Sequence, residues 1–199
     1  KPIPVLSFPC INLMGITVKD LVYSSTLQAE GMERVAREVP TGASVSMMDL
    51  SVEAEAFGST VHVTDREVPT VVGSILQSEE DAQALVVPKV GAGRTGTYVD
   101  AIREACKRIC DRPVFAGVIG PFSLSGRLMD VTEAMVNCYT EPDMVHITMK
   151  KATEFLISYI NAYKEAGANG IVMAEPLSGL LSPALVEEFV EPYLIEIIN

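Results

Sequence analysis

The sequence predicts an α/β fold: the N-terminal half of a (β/α)8 TIM barrel with an inserted β-hairpin. Three observations predict it. Short apolar runs alternate with longer amphipathic stretches, two of those runs end directly in an acid, and one closely spaced pair of β-branched runs is joined by turn residues. With 199 residues and 48% hydrophobic content, the chain has ample material for a sizeable core.

The first run, residues 3–8, reads as a strand that ends at Pro9, after which Thr17 and Asp20 offer N-caps for a long helix reaching about Glu38. Residues 43–48 form a second short run, closed by Asp49, Leu50 and Ser51. Helix-forming residues 52–57 follow and stop at Gly58. Residues 60–63 and 68–72 flank the turn-like Thr64, Asp65 and Arg66, which predicts an antiparallel hairpin with Pro69 on an edge strand. Ser78 precedes three acids that suit the first turn of a short helix.

Residues 91–96 are glycine-rich and precede a helix predicted over 97–110. They match neither GxGxxG nor GxxxxGK[ST], and no buried strand feeds them, so they read as a surface linker rather than a phosphate cradle. Residues 113–119 form a third buried strand, which Gly120 and Pro121 turn into a helix. Asp130 starts another. Pro142 opens a long amphipathic helix to about Ala166, whose Val145, Met149, Ala152, Leu156, Ile160 and Tyr163 recur at helical spacing as a core stripe. A fourth strand, 170–174, ends in Glu175, and Pro183 opens a last helix that Pro192 interrupts. Residues 1–199 thus read as one partial barrel domain of about four β/α units, against the eight of a closed barrel.

Composition excludes several function classes. A net charge of −11 argues against electrostatic binding of nucleic acid. No apolar run approaches the roughly 18 residues of a membrane span, and Lys1-Pro2-Ile3-Pro4 lacks a signal layout, so cytoplasmic residence and no membrane association are expected. Cys10, Cys106, Cys110 and Cys138 form no CxxC pair and suit reduced structural thiols. His62 and His146 have no cysteine partner at metal-ligand spacing, and no metal-ligating residues are assigned. Small molecules or other proteins remain as partners.

The strand tips carry the candidate chemistry, because barrels place their active sites at the carboxyl ends of the strands. Asp49 and Glu175 each follow a buried strand and are the candidate catalytic residues; a carboxylate there either does chemistry or caps a neighbouring turn. Ser178 and Ser182, in the loop after the fourth strand, and Asn12, after the first, are candidate substrate-binding residues. Ser182 also suits an N-cap ahead of Pro183.

Three phrases, MDLSVEAEAFG at 48–58, VIGPFSLSG at 118–126 and EAGANG at 165–170, stand in the same order as in the uroporphyrinogen decarboxylase superfamily. The chain resembles that superfamily over nearly its whole length, and most closely its corrinoid-dependent methyltransferase branch. That resemblance implies transfer of a methyl group from a methylcobamide, carried on a partner corrinoid protein, to a small-molecule thiol such as coenzyme M. It also implies zinc to activate the thiol, with the His-x-Cys pair and further Cys that would bind it expected beyond residue 199. Where decarboxylating members carry an arginine-rich loop, this chain has Phe8, Pro9, Cys10, Ile11, Asn12, Leu13, Met14 and Gly15, with no cation. Decarboxylation of a smaller acid and a non-catalytic half-barrel binding or assembly domain are the alternatives. Open sheet edges make a homo-oligomer an expectation.

Overall fold

The computed structural model describes residues 1–6 and 8–199. Its elements run, in order, α1 (Cys10–Met14), α2 (Val18–Val22), α3 (Ser25–Glu38), β1 (Ser44–Val45), α4 (Val52–Ala56), β2 (Thr60–His62) and β3 (Thr70–Val72). There follow α5 (Glu79–Ala84), α6 (Thr95–Arg108), β4 (Val114–Ile119), α7 (Pro121–Met129), α8 (Val131–Thr140), α9 (Pro142–Glu165) and β5 (Gly170–Ala174). A 3-10 turn (Pro176–Leu180), α10 (Pro183–Phe189) and α11 (Glu191–Ile198) complete the chain.

β1, β4 and β5 form a parallel sheet in that order, with Ser44 opposite Val114 and Phe115 to Ile119 opposite Gly170 to Ala174. β4 takes the centre because its run of small and apolar residues can be covered on both faces. β5, at the edge of this sheet, is half-buried throughout. Gly170 permits the close pairing: a Cβ there would come within 2.9 Å of the Phe115 ring. α3 packs on α6, α6 on α9, and α9 on α5, α7, α8 and α11, so the long helix predicted over 142–166 is the spine of the core. Phe155, Leu156, Tyr159 and Tyr163 on it are fully buried, and the two tyrosine hydroxyls hydrogen-bond at 2.6 Å.

β2 and β3 pair antiparallel, Thr60 with Val72 and His62 with Thr70. The turn between them docks on the N-terminus of α2, where the Val18 N–H donates to the Asp65 carbonyl at 2.9 Å. Among the described residues no helix is long and apolar enough to cross a membrane.

Three sequence expectations are corrected. Residues 3–6 carry no strand, and Ser7, within the predicted 3–8 run, lies outside the described residues. Pro4 and Leu6 still pack beside Val45 while Ile3 and Val5 face outward, a strand-like alternation in which Pro2 and Pro4 have no N–H to give to a ladder. The single helix predicted to reach Glu38 is broken: Thr17 and Asp20 form a reciprocal capping box on α2, but Ser24 caps a new helix by accepting from the Leu27 N–H. Residues 91–96 are not a surface linker, because Arg94 and Thr95 are buried.

Candidate active site

Because β1, β4 and β5 run parallel, the segments that follow them emerge at one end of the sheet, and Asp49 and Glu175 lie on those segments. The ladder continues past β1: the Ser46 N–H donates to the Phe115 carbonyl at 2.9 Å, and its hydroxyl accepts from the Gly117 N–H at 2.8 Å. That places residues 47–51 beside the end of β4.

Asp49 is completely enclosed, its side chain 0% exposed against 4% for Arg94. One carboxylate oxygen accepts from Arg94 Nη1 at 2.5 Å and from the Tyr98 hydroxyl at 2.8 Å; the other accepts from the Ser51 N–H at 3.1 Å and its hydroxyl at 2.6 Å. Arg94 also donates through Nε to Glu55 at 2.7 Å and through Nη2 to the Ser51 hydroxyl at 2.8 Å. Burial alone would pull the guanidinium pKa down, but Asp49 beside it reverses the shift and holds Arg94 charged. Burial, then Asp49, pushes the Tyr98 phenol up, so it stays a donor. Asp49 therefore ties the β1 tip to the start of α6, and both its oxygens are engaged.

Glu175 does for α7 what its own N-cap cannot. That N-cap is Gly120, which has no side chain, and a Cβ there would lie 2.2 Å from a Glu175 carboxylate oxygen. Glu175 reaches across from the end of β5 and accepts from the Phe122 N–H at 2.8 Å, the Ser123 N–H at 2.7 Å and the Ser123 hydroxyl. The helix dipole favours a negative charge at this position. Burial nonetheless dominates the Glu175 pKa and raises it, with the Ser123 hydrogen bond opposing.

A third acid at this end went unrecognised in the sequence. Glu53, on α4, is 2% exposed; one oxygen accepts from the Ile119 N–H at 3.0 Å and the other has no partner among the described residues. Burial pushes its carboxyl up to about 7 from an ordinary 4.5. Its only sequence signal was its position four residues after Asp49, which in a short acidic helix reads as solvated surface.

Glu53 predicts a pH dependence. Between 4.5 and about 7 the folded protein holds a proton that the unfolded chain releases, so stability from this group is complete below 4.5 and falls as pH rises to about 7. Urea unfolding of wild type and Glu53→Gln at pH 5 and pH 8 is expected to show a difference between them that changes by about 3 kcal/mol, wild type losing more. Parallel pH profiles would refute this account of Glu53.

The remaining candidates fall at the rim or elsewhere. Ser178 donates to the Glu175 carbonyl at 2.8 Å, so it braces the loop that carries Glu175. Ser182 caps α10, accepting from the Leu185 N–H. Asn12 is exposed on α1. His62 lies in the hairpin. His146 stacks on Phe189 and shares a 2.8 Å hydrogen bond with the Tyr193 hydroxyl. Cys106 donates to the Gly167 carbonyl, and Cys110 lies beyond the end of α6. Among the described residues no group of three or more His, Cys, Asp or Glu is placed to hold a metal ion. They do not fit a zinc site.

Parallel strands whose trailing loops gather buried acids at one end define an α/β domain of the kind that carries its chemistry at the strand termini. Residues 10–199 match the family described as Uroporphyrinogen decarboxylase (URO-D), and the chain belongs to that family. It is 28% identical over 180 residues to the uroporphyrinogen decarboxylase of Coxiella burnetii, covering 86% of this chain and 49% of that protein. It is 26% identical over 155 residues to the Methylcobamide:CoM methyltransferase MtbA of Methanosarcina acetivorans, covering 76% and 45%. A solved methyltransferase from Methanosarcina mazei superposes with a TM-score of 0.89 at 23% identity, covering 98% of this chain and 60% of its own. The chain spans about half the length of the curated relatives it matches.

Proposed function

We propose that the protein transfers a methyl group from a methylcobamide, carried on a corrinoid protein, to a small thiol such as coenzyme M. The observation that carries this reading is the supply of positive charge. A uroporphyrinogen bears many carboxylates and calls for several cations around it. Residues 9–15, where decarboxylating members carry arginines, instead build α1, with Cys10 buried and no cation. Arg94, the buried cation beside the strand tips, is already matched by Asp49 and Glu55, which among the described residues leaves Arg127 as a lone cation near the loop after β1, too few for a polycarboxylate. The net charge of −11 further disfavours a polyanionic substrate. The similarity to MtbA supports the class of donor and acceptor.

On this reading the chain is the N-terminal half of a (β/α)8 barrel in one domain, and its strand tips form one wall of the pocket. Asp49 and Glu175 hold that wall in place. Asp49 fixes the loop after β1, and Glu175 fixes α7 against the loop after β5, which carries Ser178 and Ser182 at the rim with Asn12 beyond. Zinc, if the reaction uses it, takes its ligands from outside these residues, and none of the steps assigned to them runs through it.

The test is product analysis on the full-length protein with methylcobalamin and coenzyme M in one arm and uroporphyrinogen in the other. Methylated coenzyme M is the expected product. Release of CO2 from uroporphyrinogen without methyl transfer would replace the proposal with the decarboxylase reading. Neither product, in folded protein, would favour a non-catalytic assembly domain.

A further inference from the structure

Arg34, Arg37, Arg94, Arg103, Arg108 and Arg112 each have a carboxylate partner, and Arg66 is exposed in the hairpin turn. Arg127 is different. It is half-buried on α7, and no hydrogen bond or ion pair engages it among the described residues. A guanidinium carries five N–H donors and no acceptor, so one that no described residue engages is open to an acceptor from outside the chain.

Its position indicates what that is. Arg127 lines a cavity of about 230 Å³ whose other walls are Met48, Leu50 and Ser51 from the loop after β1 and residues 68–71 of the hairpin. Met48 and Leu50 flank Asp49, so the cavity opens at the end of the sheet where the acids gather. The Asp49 side chain is turned away from it toward Arg94, and Arg127 is the one charged group in its lining. Ser123 lies one helical turn before Arg127 and therefore on the same face of α7. Ser123 is occupied by Glu175, whose oxygens go to α7 donors and not to Arg127. Gly126 lets α7 sit tight against the loop after β5, since a Cβ there would come within 2.5 Å of Leu177. The helix that presents Arg127 is thus held at both its first turn and its middle.

We propose that this cavity is a binding site for a small organic anion: Arg127 pairs with its carboxylate or sulfonate, and the walls formed by Met48, Leu50, Pro69 and Val71 take a short aliphatic chain. One cation facing one apolar pocket selects a monoanion with a short chain, and the planar fork of the guanidinium suits both head groups. Resting on the proposed methyl transfer, this assigns Arg127 as the specificity-determining residue that holds the anionic end of the thiol acceptor.

Calorimetric titration of the full-length protein with 2-mercaptoethanesulfonate, 3-mercaptopropionate, neutral 2-mercaptoethanol and thiol-free ethanesulfonate tests it. Wild type is expected to prefer the anionic ligands. Arg127→Gln is expected to weaken anion binding roughly 10- to 100-fold and leave the neutral thiol unchanged, while Arg127→Lys keeps part of the preference. Val68→Glu, at an exposed position in the cavity wall, supplies a competing carboxylate without touching the core and is expected to abolish the preference. An anion preference unchanged in both Arg127→Gln and Val68→Glu overturns the inference. Arg127-dependent binding of ethanesulfonate in a protein that transfers no methyl group would sink the methyltransferase reading and leave the anion site standing. Methyl transfer indifferent to the acceptor's charge would do the reverse.

Discussion

Arg94→Met is expected to destabilise the protein by about 3–5 kcal/mol, the cost of stranding a buried charge by removing its partner. Asp49 has no exposed side-chain surface through which water could compensate, and Arg94 supplies one of its shortest hydrogen bonds. Glu55, 23% exposed, recovers some hydration and adds less to the loss. The effect should be seen in urea unfolding, with the midpoint falling at unchanged slope. The double variant Asp49→Leu with Arg94→Met is expected to recover part of the loss, because replacing both ions with apolar groups removes the desolvation cost along with the attraction. A single variant within about 1 kcal/mol of wild type would show that the pair is not enclosed as described.

Glu175→Ala is expected to cost about 4 kcal/mol, since it leaves the Phe122 and Ser123 N–H groups and the Ser123 hydroxyl without the acceptor they share. Gly120 cannot take over the capping role, and α7 would lose its fixed first turn. Glu175→Gln, which keeps one acceptor oxygen, is expected to recover about half of that loss. Hydrogen exchange at Phe122 and Ser123 gives a local readout: faster exchange there, with β4 amides little changed, is the expected pattern. If Glu175→Ala is as stable as wild type and abolishes turnover, the capping role falls and direct participation in the chemistry replaces it.

Much of the fold was legible from local rules. The runs at 113–119 and 170–174 became β4 and β5, because a continuous apolar stretch bounded by proline or glycine suits a strand; β4 is buried as expected, whereas β5, at the sheet edge, is half-buried. Pro142 opened α9 and Pro183 opened α10, while Ser78 and Asp130 capped the helices that follow them. The failures share a cause. Whether residues 3–6 pair, whether one helix or two spans 18–38, and whether a glycine-rich loop is buried depend on neighbours far away in sequence, and no local pattern records them.

The candidate site divides along the same line. The sequence by itself determined that Asp49 and Glu175 stand where apolar strands end, because an apolar run that stops at an acid marks the point where cover stops. Only the tertiary structure decided what each acid faces: Arg94 from 45 residues away for Asp49, the first turn of α7 from 52 residues away for Glu175, and the Ile119 amide for Glu53. It also left Arg127 facing a cavity without a partner among the described residues. A residue's type and local spacing set where its charge sits along an element, but its pKa, its partner and its availability to a ligand come from the dielectric and donors around it, which exist only once distant segments have packed together.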